Sequence, residues 1–358
     1  MERKWLVRTY EEGDENRIFD LWNAVYPEQT RDKKGWLSWW RWTCENPAGG
    51  RVWLAEHDGR IVGQYRITFV DLKVGDTVLK AFQAVDLMTH PDYRGQGVNS
   101  SLKTRAIEDA TEAGFSIEFG FPNERSYAMH AKHPGFFDPG TMELLIKPLN
   151  WKNFLKAKVR NGWLAAILGI MARGVFDKIL ARTREAPYVE GLHVNRVRSF
   201  DNRIERLWRG ISSQHKVMVV RNEQYLRWRY SAPGQSYLIF AAEKQEHIVG
   251  YLVAADRISG GGSNMTYIYD LVAESTDVMH SLLSKLLERC KLMELDLILY
   301  PLIANRTYRR TLNRNGFISV PFVRGRKFVG ICTSQSLLTR FLARRENWFV
   351  QIGDSDES

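Results

Sequence analysis

Apolar residues recur along this chain with two distinct periods. Ile18, Leu21, Trp22 and Val25 stand at i, i+3, i+4 and i+7 behind Asp14, which predicts an amphipathic helix with Asp14 as its N-cap. Two runs of strand formers, 52–57 and 60–70, meet at Asp58-Gly59, a pair that closes two-residue hairpins, and a third run, 77–89, follows the turn at Gly75-Asp76. A glycine turn at 94–97 opens a helix predicted to reach Ala113 and stop at Gly114; a strand at 116–120 and a short helix at 127–132 complete the order αβββαβα.

That order occurs twice. The stretch Asn16-Arg17-Ile18-Phe19-Asp20-Leu21-Trp22 is answered by Asn202-Arg203-Ile204-Glu205-Arg206-Leu207-Trp208, Trp40-Arg41-Trp42 by Trp228-Arg229-Tyr230, and Ile61-Val62-Gly63 by Ile248-Val249-Gly250. Asp86-Leu87 then matches Asp270-Leu271, Asn123 matches Asn305, and Gly135-Phe136 matches Gly316-Phe317. The matches stay collinear while their spacing drifts between 181 and 188 residues, as changes in loop length produce, so the chain reads as an internal duplication. In the second copy the expected strands are 237–243, 248–256, 266–272 and 295–300, and the helices 277–293 and 306–313.

Composition narrows the class. At 358 residues, 44% hydrophobic with 12 Trp, the chain is long enough for two well-buried cores and too apolar for disorder. Cys44, Cys290 and Cys332 are scattered and odd in number, with no Cys/His cluster, so neither a disulfide framework nor a metal site is expected. The charged N-terminus lacks an apolar signal core, and the longest uncharged apolar run, 163–172, is half the length of a bilayer-spanning helix, so a cytoplasmic location is expected. Of the net charge of +10, most sits in 151–184, where eight Lys and Arg face only Asp177. That basic stretch, also rich in Trp, Ile and Leu, reads either as a helix lying on an anionic membrane or as a helical pair bridging two domains; the bridge is the expectation. No nucleic-acid motif occurs, and Arg306, Arg309, Arg310 and Arg314 read as a solvated helix face.

Chemistry concentrates between Asp86 and Leu102, where a strand ends at Pro91 and Arg94-Gly95-Gln96-Gly97 turns into a helix. Glycines there let the backbone turn tightly and leave the amides of 96–100 unpaired at the positive end of a helix, a site suited to phosphate. Together with Asn123 after the next strand and the terminal Gly135-Phe136, this resembles the GNAT superfamily of acetyl-CoA-dependent N-acyltransferases, over about residues 5–145 and, through the repeat, 194–320. The family's loop pattern is Arg/Gln-x-x-Gly-x-Gly/Ala; Arg94 and Gly97 fit it, and Asn99 stands where Gly or Ala is usual.

The resemblance implies an α/β (α+β) fold of two tandem GNAT-like domains, each a mixed, largely antiparallel sheet flanked by helices. The expected boundaries are 1–148, a helical insert at 149–190, 191–335, and a C-terminal helix with an acidic tail at 336–358. It further implies that backbone groups of Leu87, Met88 and Thr89 meet the pantetheine amides, that Arg94, Gly95, Gln96, Gly97, Val98, Asn99 and Ser100 hold the pyrophosphate, and that Asn123 lies near the thioester. The second copy carries Glu274-Ser275-Thr276-Asp277 in place of the glycine loop, two carboxylates that repel phosphate, so only the first copy is expected to bind acetyl-CoA.

Moving an acyl group to an amine needs a base for the ammonium and an acid for the thiolate. Asp86 and Glu118 are the candidate carboxylates. The family's usual acid, a Tyr four residues before the terminal Gly, is replaced by Ala131, leaving Tyr127, His130 and His133 nearby, of which His130 is taken as the candidate. Trp36 and Trp39 read as a wall for the acceptor, Trp40 and Trp42 as structural. The expected activity is N-acyl transfer to a primary amine of an aminosugar or cell-surface precursor; a non-catalytic acyl-CoA sensor is the rival, favoured by Ala131.

Overall fold

The computed structural model describes residues 5–29, 32–149, 189–258, 264–304, 306–320, 326–333 and 336–355. Each copy builds a sheet around a three-strand meander. In the first, β1 (Leu6–Thr9) pairs with β2 (Gly50–His57), β2 with β3 (Arg60–Val74) and β3 with β4 (Thr77–Thr89), all antiparallel, and β4 then pairs in parallel with β5 (Ile117–Gly120). Strand alternation sends successive residues to opposite faces. Val52 and Leu54 pack under helices α1 (Glu15–Val25) and α2 (Lys33–Cys44), whereas Trp53 and Ala55 pack under α3 (Val98–Glu112), which buries Val98, Leu102, Ala106 and Ala110. Asp14 precedes α1 but makes no side-chain cap; its carboxylate is claimed instead by the guanidiniums of Arg8 and Arg17 and by the Glu11 amide.

The glycine shared by Ile61-Val62-Gly63 and Ile248-Val249-Gly250 has a packing reason. A Cβ at Gly63 would lie 2.5 Å from Val98 Cγ1, and one at Gly250 would lie 2.7 Å from Val278 Cγ1, so in both copies the glycine lets a helix press onto the sheet.

The second sheet repeats the plan with β8 (Leu192–Val197), β10 (Tyr237–Lys244), β11 (His247–Ile258), β12 (Asn264–Ala273) and β13 (Leu297–Ile303). Around it lie α5 (Ile204–Ser212), α6 (Glu223–Arg229), α7 (Thr276–Leu292) and α8 (Arg306–Arg314). The two copies clasp through Trp42 and Trp228, whose rings stack at 5.0 Å and 10° while each indole N–H donates to the other's carbonyl, at 2.8 and 2.7 Å. This reciprocal contact is what a two-fold relation between duplicated domains produces. It pairs Trp42, not Trp40, with Trp228, which corrects the register of that match by two residues.

The sheets do not follow the boundaries drawn along the chain. After α4 (Glu124–His130) and β6 (Phe136–Thr141), strand β7 (Glu143–Pro148) leaves the first sheet and pairs with β13 and β14 (Ile318–Ser319) of the second. In return β15 (Lys327–Cys332) crosses to the first sheet and lies between β5 and β6. Each domain therefore completes its core with a strand from the other's stretch of sequence. β9 (Val217–Val219) likewise extends the first sheet along β3.

The chain end is a second departure. Helix α9 (Ser336–Leu342) is followed by β16 (Val350–Gln351), and Asp354 and Ser355 are buried, so residues up to 355 form a wall of the interior and not an acidic tail in solvent. Of the insert expected at 149–190, residues 150–188 lie outside those described, and with them the question of a bridge or a membrane surface. Among the described residues no helix is long and apolar enough to cross a membrane.

Candidate active site

Past the end of β4 the chain makes a 3₁₀ turn at Pro91–Tyr93 and then the glycine turn. Gly95 and Gly97 adopt φ of 76° and 90°, left-handed values that a side chain resists, and α3 begins at once with Gly97 as an N-cap that offers no side-chain acceptor. The first amides of α3 therefore face a cleft of about 580 Å³ bordered by Leu87, Thr89, Arg94, Gly95, Gly97, Val98, Asn99, Ser100 and Asn123. The side chains of Met88 and Gln96 do not border the cleft; the expectation concerned their backbone groups. The Met88 side chain alternates to the opposite face and is buried among Trp36, Trp40 and Ile61, and Gln96 Nε2 donates to the Asp92 carbonyl at 2.7 Å. Asn123 borders the cleft as expected, but its Oδ1 caps α4 by accepting from the Ser126 amide.

The cleft opens into a second cavity of about 320 Å³ where β4 and β5 part company. Their parallel pairing ends at Ala81↔Ile117 and Phe82↔Glu118, so Gln83 to Leu87 on one side face Glu118 to Asn123 on the other. The register between β3 and β4 slips here, and Asp86 sits at the bulge with φ of 51°, its carbonyl accepting from Gln64 Nε2 at 3.0 Å. A left-handed non-glycine residue inside a strand is held by its surroundings and commonly marks a working site.

Glu118 and His130 come together in this cavity. His130 Nδ1 is 2.7 Å from the Ser126 carbonyl, which can only accept, so Nδ1 carries a proton; Nε2 then faces Glu118 Oε1 at 3.0 Å. One further proton is shared across that contact, making an imidazolium–carboxylate pair or its neutral equivalent. Burial acts to raise the Glu118 carboxyl, but the hydrogen bond and charge of His130 outweigh it and hold it below the ordinary carboxylate range. Its Oε2 is buried without a hydrogen-bond partner among the described residues. Tyr127 and His133 are turned elsewhere: the Tyr127 hydroxyl donates to Asp138 at 2.7 Å, and His133 Nδ1 accepts from the Gly135 amide.

Asp86 and its twin have diverged. Asp86 is 29% exposed, 3.6 Å from Arg66, which is buried beneath Trp40 and Trp39. Asp270 is fully buried, bound by Arg221 at 3.1 Å, by the hydroxyls of Tyr230 and Tyr251 at 3.1 and 3.0 Å, and by Gln351. The second copy's gap between β12 and β13 is also filled. β16 pairs with β13, Gln351 Oε1 accepts from the Leu271 amide at 2.8 Å, and the Tyr308 hydroxyl donates to the Leu271 carbonyl. Leu271 is the counterpart of Leu87, so the backbone groups left open in the first copy are satisfied by the chain itself in the second. Ser275 caps α7 there by accepting from the Val278 amide, where the first copy has only glycine.

A third, narrow cavity of about 60 Å³ adjoins Asp86 and runs between Trp39, Trp42 and Trp228 toward Ser355. Trp36 is absent from it: 1% exposed, it stacks on Trp40 inside the core, which corrects its reading as acceptor wall. Trp39 and Trp42 line the cavity. Sequence reasoning also passed over Tyr26, which borders both larger cavities, and Gln83 and Ser355, which border the narrow one. Tyr26 closes the periodic run of α1 and was legible as such; Ser355 carries no local signal.

Residues 6–131 match the family model of the GNAT acetyltransferase domain. A GCN5-related N-acetyltransferase from Anabaena variabilis superposes with a TM-score of 0.65 at 12% identity, covering 95% of this chain and 75% of that one. Another from Kribbella flavida gives 0.61 at 13%, covering 91% and 71%. The N-myristoyltransferase of Saccharomyces cerevisiae, solved with myristoyl-CoA bound, gives 0.56 at 11%, covering 93% and 83%. At such identities the likeness is one of fold. No curated protein matches the sequence.

Proposed function

We propose, for a chain whose residues 6–131 belong to the GNAT acetyltransferase family and whose length folds as two such domains in tandem, that it transfers an acetyl or other acyl group from coenzyme A to a primary amine, with the cofactor held by the first domain alone. The observation that carries this is the contrast between the gaps: open beside Leu87, and closed beside Leu271 by Gln351 and Tyr308. On this reading the domains are functionally unequal, the second serving to shape and support the first.

The residues present fit the cofactor. The amides at the start of α3, with Arg94, suit a pyrophosphate; the exposed edge of β4 at Leu87 and Thr89 suits the pantetheine amides; no metal is needed for either. Acyl-coenzyme A supplies a thioester already activated toward amines. Asp86 and Glu118 face the gap where the acceptor nitrogen would lie, Asp86 attracting the ammonium and Glu118, held in place by His130 through Oε1, receiving its proton at Oε2. Ala131 leaves no phenol at the family's usual acid position, which is what favours the rival reading of a non-catalytic sensor.

Two measurements test the proposal. Isothermal titration with coenzyme A is expected to give one site per chain, lost in Gly97→Arg; two sites, or none, would sink it. Glu118→Gln is expected to lower kcat for amine acetylation by about 10²–10⁴-fold with coenzyme A affinity retained, as loss of a positioned proton acceptor does. Thiol release unaffected by any amine would support the sensor.

A further inference from the structure

We infer that the narrow cavity beside Asp86 is the acceptor site and that it takes a compact primary amine carried on an apolar body, an aryl- or alkylamine, in place of the polyhydroxylated aminosugar expected from the sequence. The inference rests on the acyl-transfer reading above and adds the acceptor's chemistry to it.

Position comes first. The narrow cavity and the gap between β4 and β5 share Gln83, Val85 and Asp86, so a molecule seated in the former presents one end to the latter. Glu118 and His130 stand across that gap. The end that arrives beside Asp86 is thus the end that reacts.

Lining decides the class. The walls are mostly Trp39, Trp42, Trp228 and Tyr225, with Val70, Val85, Thr43 and Thr68 between them. The two other charged residues on its border direct their charge elsewhere. The Arg229 guanidinium donates to the carbonyls of Gly353 and Ser355 at 2.7 and 2.8 Å, and the Asp354 carboxylate accepts from Arg221 Nη2 at 2.8 and 2.9 Å. The Gln83 side-chain N–H donates to the Asp354 carbonyl at 2.6 Å. Asp86, which lies 3.6 Å from the buried Arg66, is the carboxylate at the end nearest the reaction, and tryptophan rings meet the rest of a guest. An ammonium gains a charge-assisted hydrogen bond at Asp86 and an apolar ring gains the tryptophan wall. A hexosamine brings several hydroxyls, each needing a buried partner, more than Thr43, Thr68 and Gln83 supply along these largely aromatic walls.

The test is acetyl transfer from acetyl-CoA to 2-phenylethylamine and to glucosamine, followed by thiol release, in the wild type and in two variants. Trp39→Ala removes wall, and Thr43→Phe fills the cavity from the end of α2. The expected result is kcat/KM for 2-phenylethylamine at least 100-fold above that for glucosamine, with its KM raised tenfold or more in both variants. Coenzyme A affinity should stay within twofold in both variants, which also reports that they fold. Equal or better use of glucosamine, or an unchanged KM for 2-phenylethylamine in both variants, overturns the inference and leaves acyl transfer standing. Coenzyme A binding without transfer to either amine overturns both readings together.

Discussion

Lys147 on β7 shows how much a single buried charge can weigh. Its ammonium donates to the Asn315 carbonyl deep between the copies, and burial, aided by the nearby Lys291, pushes its pKa down from 10.5 to about 8. Because the folded value lies below the unfolded one, the folded protein binds fewer protons between about pH 8 and 10, and stability rises as pH climbs through that window. Replacing the ammonium by an isosteric thioether should erase this slope. Urea midpoints of the wild type and Lys147→Met at pH 7.5 and 9.5 check it: the wild type is expected to gain about 1–2 kcal/mol relative to the variant between those pH values, the integrated effect of such a shift. Parallel midpoints would show that Lys147 keeps its ordinary pKa. The paired aspartates teach a related lesson. Asp86 and Asp270 occupy equivalent sequence positions, yet Arg221 and two tyrosines make one a piece of core, while the other borders two cavities.

Among the elements, β15 bears most directly on the site, since it flanks β5 and so fixes Glu118 from behind through the pairing Ile331↔Glu118. Gly330 makes that insertion possible. A Cβ there would fall 2.1 Å from Phe137 Cζ and 2.4 Å from the Glu118 carbonyl oxygen, the second being backbone that cannot swing aside. Gly330→Ala is expected to cost about 1–3 kcal/mol or more in a denaturant titration, as overpacking does, and to lower acyl transfer by displacing Glu118. Gly120→Ala is the comparison, because nothing lies within 4 Å of a Cβ at that position. Equal losses at the two glycines would mean that β15 does not hold the strand tightly. The helices were the most legible elements: α1 and α3 follow from period and glycine stops, and the predicted third strand coincides with β4 (Thr77–Thr89). Helix α2 was absent from the predicted elements, since Trp36, Trp39, Trp40 and Trp42 point to core, cavity and partner domain at once and blur any single face.

At the scale of the whole molecule, exchange of β7 for β15, the Trp42–Trp228 clasp and the hydrogen bond from Gln83 to the Asp354 carbonyl tie the two copies together. Calorimetry is accordingly expected to show one transition whose van't Hoff and calorimetric enthalpies agree; two resolved transitions would mean that each copy stands alone. The sequence by itself determined the duplication, the meander and its helices, the glycine turn that opens α3, and the loss of that turn in the second copy. All of these are written in short-range signals: hydrophobic period, turn residues, and charge at a helix start. Only the tertiary structure decided which strand completes which sheet, that Gln351 and Tyr308 close the second gap, that His130 reaches Glu118, and that Trp42 and not Trp36 faces the narrow cavity beside Asp86. Those facts depend on partners far apart along the chain, 80 residues in the case of Leu271 and Gln351, and on which side of a helix is left uncovered once its neighbours have packed. No local pattern encodes either, because a side chain's period tells that it is buried and not against what.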